Sequence, residues 1–151
     1  MDAIDRKIVK LLQSNAKLTT KEIAAAVNLS VSPTFERIKR LENEGVITDY
    51  VAIADPFKVG VGLIAFSNIR LKQHSKEMGD NFVKEIKSFE EVTEVYNTTG
   101  EFDYTIKIYA RDILHFQDFV LNHLGQIDSI GHMSSVVVIG CEKRTLSIPV
   151  W

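Results

Sequence analysis

Two groups of residues in this chain hold chemistry-bearing side chains close together. The first is Tyr96-Asn97-Thr98-Thr99-Gly100-Glu101-Phe102-Asp103-Tyr104. Glu101 and Asp103 are paired carboxylates of the kind general acid–base work uses. No His, Ser or Cys stands nearby in sequence to act as their partner. Backbone N–H groups around Gly100 suit a ligand carboxylate, and Asp103 suits an amine. The same residues also make an ordinary hairpin turn, with Gly for backbone freedom and Asn, Asp and Thr for local hydrogen bonds. Both readings stand. The second group is SVSPTFERIKRL, Ser30–Leu41, where three cations share one side of a helical pattern. Elsewhere, His74, His115, His123 and His132 are scattered without metal-ligand spacing, and no phosphate-binding or zinc-protease motif occurs.

The cations must be positioned by helices, and three can be placed. The first opens at Asp2, with an apolar stripe of Ile4, Ile8, Leu11 and Leu12, and ends near Ser14-Asn15. The second opens on Thr19-Thr20-Lys21-Glu22, a capping box, and stops at Asn28. The third has Ser30 as its N-cap, Pro33 in its tolerant first turn, and Gly45 past its end. The "NLS" connection is so short that helices two and three must cross steeply, as in a helix-turn-helix, with Leu29 plugging the core. "VITDYVAIADP" then reads as a strand. At 100° per residue, Val31, Phe35, Ile38 and Leu41 fall on one arc of the third helix, the expected core side. Ser32, Pro33, Glu36, Arg37, Lys39 and Arg40 lie opposite, with Thr34 at the edge. A lone amphipathic helix with such a face is usually just solvated. As the second helix of a tight pair, with small polar residues at its start, it suits a DNA major groove. The DNA-binding residues expected are therefore Ser32, Pro33, Thr34, Glu36, Arg37, Lys39 and Arg40.

Beyond a hinge at Phe57–Gly62, the order is strand, helix, strand, strand, helix, strand. Strands are expected at Leu63–Leu71, Val92–Thr98, Phe102–Tyr109 and Met133–Cys141, with helices opening at Ser75 and Asp112. This is the ferredoxin-like βαββαβ pattern. The fold class is α+β: a winged helix-turn-helix over residues 1–60, its strand linker at about 46–60, then a ferredoxin-like domain over 61–151. Both helices of the second domain fall on one sheet face, and "VVVIGC" is apolar on both sides. A second copy of the chain is the simplest cover.

Bulk properties agree with this layout. The 151 residues are 45% hydrophobic and 25% charged, which excludes a disordered chain. Net charge is −2, but residues 1–60 carry nine Lys+Arg against eight Asp+Glu, so any basic surface is a local patch on that part. No apolar run approaches the roughly 18 residues of a membrane span, and "MDAIDRKIVKLL" lacks the features of a signal peptide. The lone Cys141 is expected as a buried, reduced thiol, and the protein as cytoplasmic.

Taken together, "DAIDRKIVKLLQSNAKLTTKEIAAAVNLSVSPTFERIKRLENEGVITDYVAIADPFKVG" and "TGEFDY" resemble the Lrp/AsnC family, the feast/famine transcription regulators, the latter matching its Gly-x-x-Asp-Tyr signature. The resemblance covers nearly the whole chain. It implies a transcription regulator and not an enzyme, without a cofactor, that binds double-stranded DNA. It implies dimers through the C-terminal domain, assembled further into octamers or other rings. It also implies an amino acid or related effector bound near Thr99, Gly100, Phe102, Asp103 and Tyr104, with His132, Met133, Ser134 and Ser135 opposite. Val31 and Ser32 stand where the family often has Pro and Thr, which bears on operator preference. Two alternatives share features of this pattern. One is an enzyme resembling the siroheme decarboxylases, and the other is an architectural protein binding DNA with little sequence choice.

Overall fold

A computed structural model describes residues 1–151. The chain forms two compact units: residues 1–53 together with 142–151, and residues 54–141.

The first unit is built from α1 (Ala3–Ser14), α2 (Thr20–Val27) and α3 (Val31–Asn43). Two capping boxes start α1 and α2. Asp2 and Asp5 each accept the other's backbone N–H, and Thr19 and Glu22 do the same. These reciprocal bonds satisfy amides that a helix start leaves without partners. Asn28 ends α2 in the left-handed conformation at φ 57°, a geometry short polar residues tolerate. The core is Ile8, Val9, Leu12, Ile23, Val27, Ile38 and Leu41, with Leu29 packed at its edge as the turn plug.

Two expectations for this unit change. Residues 48–55 form no strand; only Ile47 reaches the core, and no second segment of the chain pairs with them. A strand lacking a partner leaves its backbone groups to water and gains nothing by extending. The second change concerns the last ten residues, expected with the ferredoxin-like domain, which pack on α1. The Gln13 amide grips the Ile148 backbone from both sides: the Ile148 N–H donates to Oε1 at 2.7 Å, and Nε2 donates to the Ile148 carbonyl at 3.2 Å. Ser147 Oγ donates to the Gln13 carbonyl, and Val150 joins the helical core.

The second unit carries β1 (Leu63–Leu71), α4 (Lys76–Ile86), β2 (Val92–Asn97), β3 (Tyr104–Ala110), α5 (Ile113–Asp118) and β4 (Ile130–Val137). A π-type turn and a 3-10 turn carry α5 on to Gln126. Strand order is β2-β3-β1-β4 with every pair antiparallel, the ferredoxin-like arrangement. Alternation decides the faces. Leu63, Ala65, Ser67, Ile69 and Leu71 of β1 point into the core with Tyr104, Ile106 and Ile108 of β3, where Phe82, Ile86 and Phe119 cover them. β4 lies three to four residues earlier than its apolar run suggested, so Cys141 falls beyond it and is exposed rather than buried.

Candidate DNA-binding face and effector cleft

α3 is held by a buried charge. Asp5 of α1 is 1% exposed, although an isolated buried carboxylate is costly. Arg37 and Arg40 of α3 resolve the cost. Arg37 Nη1 lies 2.7 Å from Asp5 Oδ1 and 2.6 Å from Asp2 Oδ2, and Arg40 Nη2 lies 2.7 Å from Asp5 Oδ2. Burial pushes the Asp5 carboxyl up, but the Asp2 amide and the two guanidiniums outweigh it, and its pKa ends below the ordinary value. The Asp5 amide and Arg37 hold Asp2 down to about 2. Two of the three expected reading cations therefore fasten α3 to α1.

This ion cluster also sets which side of α3 faces inward. Thr34, Ile38 and Leu41 are its buried residues, and Arg37 is drawn in beside them. Thr34 is 0% exposed and its hydroxyl donates to the Ser30 carbonyl, so it is not part of the outer face. Val31 and Phe35, expected in the core, are 47% and 45% exposed. The outward surface carries Ser32, Pro33, Glu36 and Lys39, with Arg40 at its edge. Lys39 Nζ pairs with Glu42 at 2.8 Å and stands 5.8 Å over the Phe35 ring.

The 99–104 segment is a hairpin turn between β2 and β3, with Gly100 at φ 107°, which only glycine adopts without strain. Asp103 fixes it. Its carboxylate accepts the Leu71 N–H and lies 2.8 Å from His74 Nδ1, while its own N–H donates to the Ile69 carbonyl. Both carboxylate oxygens are thus engaged by the protein, and the first role of Asp103 is to lash the hairpin to the end of β1. Tyr104 packs on Phe82 at 4.7 Å between ring centres. Beside them opens a cleft of ≈ 430 Å³ lined by Leu71, His74, Lys76, Asp80, Asn97, Asp103 and Tyr104, among others. A Cβ on Gly79 would stand 2.9 Å from the Tyr104 hydroxyl, so the bare glycine keeps this wall open.

The other expected effector residues are dispersed. Phe102 stacks with His132 at 6.1 Å and lies under Arg70, which bonds Glu101. Ser134 pairs with Asn68 and His132 with Arg70, while the alternate residues Met133 and Ser135 fall on the core side opposite Ile69 and Ser67. Met133 packs on the core, and the Ser135 hydroxyl lies 2.7 Å from that of Ser67. Thr99 and Gly100 are exposed on the turn. Sequence reasoning missed His74, Lys76 and Asp80 in the cleft, while Asn97 belongs to the group it singled out. The cap at Ser75 marks where α4 begins but not what its first turn faces.

The sheet face away from α4 and α5 bears Ile64, Phe66, Tyr109, Val136 and Val138, by register and alternation. Val136 is 56% exposed. Lys107 lies over both the Phe66 and Tyr109 rings and pairs with Glu94 at 2.8 Å.

Comparison with known proteins places this geometry. The model of the Lrp/AsnC ligand binding domain matches residues 64–148, and that of a winged helix-turn-helix DNA-binding domain matches residues 1–48. The chain is 33% identical over 150 residues to the DNA-binding transcriptional activator DecR of Escherichia coli, covering 99% of each. It is 31% identical to the transcriptional regulator AzlB of Bacillus subtilis, covering 99% of this chain and 96% of that protein. Among solved structures, a transcriptional regulator of Neisseria meningitidis in complex with L-Met superposes with a TM-score of 0.94 at 33% identity, over 99% of this chain and 96% of that one. No helix is long and apolar enough to cross a membrane. Matched in both domains and along nearly its whole length, this chain belongs to the Lrp/AsnC family of DNA-binding transcriptional regulators.

Proposed function

We propose that this regulator acts in the cytoplasm as a dimer, and as an octamer or similar ring of dimers, which sets α3 of two copies into neighbouring major grooves under the control of an amino acid or close metabolite. The observation that carries the DNA reading is the ion cluster at Asp5. A buried carboxylate that holds two arginines of α3, besides capping α1, fixes that helix and leaves its Ser32–Lys39 side projecting. Small residues at the start of such a helix let its backbone approach the bases. Lys39 and Arg40 supply phosphate contacts, and Ser32, Pro33 and Glu36 shape selectivity.

The effector reading is supported by the cleft at Asp103 and Tyr104, and by the L-Met complex of the Neisseria relative. Lys76 and Asp80 offer opposite charges for the two ends of an amino acid, and Thr99 and Gly100 lie on the adjoining turn. Phe102 acts from the β2–β3 turn, and His132, Met133, Ser134 and Ser135 from β4, by closing contacts between dimers or by supporting the turn. Ligand bound there changes assembly or helix spacing, and so the fit to DNA.

A thermal-shift screen against the twenty amino acids, with each hit repeated in a DNA gel-shift, tests the effector reading. At least one is expected both to raise the melting temperature and to alter the shift; none doing either overturns it. For the DNA reading, Lys39→Ala is expected to make the plot of log affinity against log salt shallower by about two in the dimer, one phosphate contact per helix. An unchanged slope removes Lys39 from the interface.

A further inference from the structure

Val31 and Phe35 are the unexpected occupants of the outer side of α3. They are four residues apart, hence adjacent on one flank of the helix. The core beneath does not need them: Ile8, Ile23 and Leu41 are already at 0–1% exposure. Phe35 lies under the Lys39 ammonium, 5.8 Å from its ring centre, and Lys39 in turn pairs with Glu42. An apolar pair framed by a cation and small polar groups fits a surface that is itself apolar in spots and anionic around them. The DNA major groove has that character. Its single apolar feature among base edges is the 5-methyl group of thymine, and phosphates flank it.

We infer that Phe35 and Val31 are specificity-determining residues that read thymine 5-methyl groups, with Lys39 on the adjoining phosphates. The inference rests on groove entry by α3, and adds a preference for thymine at defined positions of each half-site. A helix reading only through Arg and Glu hydrogen bonds would be indifferent to that methyl group.

The test uses the full-length protein and a duplex recovered by selection from a random pool. Each thymine is replaced in turn by deoxyuridine, which removes the methyl and nothing else. Affinity is measured by fluorescence anisotropy for the wild type, Phe35→Ala and Val31→Ala. At one or two thymines per half-site the replacement is expected to weaken wild-type binding about fourfold, the factor that burying one methyl sets. The same replacement is expected to leave the affinity of Phe35→Ala, of Val31→Ala, or of each at its own thymine unchanged, while Phe35→Leu retains part of the discrimination. Both side chains are exposed, so the variants are expected to melt with the wild type. Tight binding of the unmodified duplex with no sensitive thymine overturns the inference, as does full sensitivity in both alanine variants. Failure to recover any bound duplex overturns groove entry itself, and this inference with it.

Discussion

Asp5→Ala is expected to lower the melting transition of the DNA-binding unit by about 15 °C and to abolish specific DNA binding. Three losses coincide at this side chain. The N-terminal capping box of α1 is broken, at about 1 kcal/mol. Arg37 loses one of its two carboxylate partners and Arg40 the closer of its own. The arginines reach water, which limits this second cost to about 2 kcal/mol, below that of a wholly buried pair. Together, about 3 kcal/mol in a domain of this size corresponds to the stated shift. Asp5→Asn keeps the shape and part of the cap, and is expected to fall between. Calorimetry on the full chain checks the first result, and a transition within about 2 °C of wild type overturns it. The same cluster predicts an acid response. Asp5 and Asp2 have folded-state pKa values below their ordinary ones, so their stabilisation is fully present above about pH 4. It is lost as pH falls through the depressed values, reaching about 2 for Asp2. In the Asp5→Ala variant the melting temperature is expected to vary less between pH 4 and 2 than in the wild type.

Val136→Arg is expected to convert the proposed dimer to monomers. Val136 lies beside Phe66 on the bare sheet face, on the edge strand β4, and the cations of that face, Lys107 and Arg70, are already paired with Glu94 and Glu101. On a two-fold axis each substitution is felt twice, and a cation without a counter-charge in an apolar interface costs several kcal/mol. The dimer dissociation constant is expected to rise at least about a hundredfold by sedimentation equilibrium. DNA affinity should fall with it, since one reading helix spans one half-site. The monomer should still fold, because Val136 is exposed in the single chain. An unchanged dissociation constant would move the dimer contact to another surface.

The features legible in the sequence were those determined within a few residues. Thr19 and Glu22, Asp112 and the apolar spacing of Met78, Phe82 and Ile86 all declare helices through contacts three or four positions apart. The ferredoxin-like order follows because its periods switch between two and 3.6. What escaped depends on distant partners. Arg37 and Arg40 look like free cations until α1, 32 to 35 residues away, brings Asp5 to them. With that encounter α3 packs through Thr34, Ile38 and Leu41, and Val31 and Phe35 stay exposed. The segment 48–55 has strand composition but no partner strand. In the C-terminal unit, Asp103 resembled a ligand's counter-charge, and the backbone amide it accepts belongs to Leu71, 32 residues earlier.

The Gln13 grip on Ile148 has a topological consequence. The chain enters the helical unit at its start, leaves it at residue 53 and returns to it from residue 142, so residues 54–141 are joined to that unit at both of their ends. A fragment cut at residue 60 forfeits Val150 and the Gln13 bonds, and with them the second tether. The Ile148 amide, which donates to Gln13 Oε1, is a local gauge of that seating: its hydrogen exchange is expected to be slow while the returning segment is packed and fast once it is pulled free.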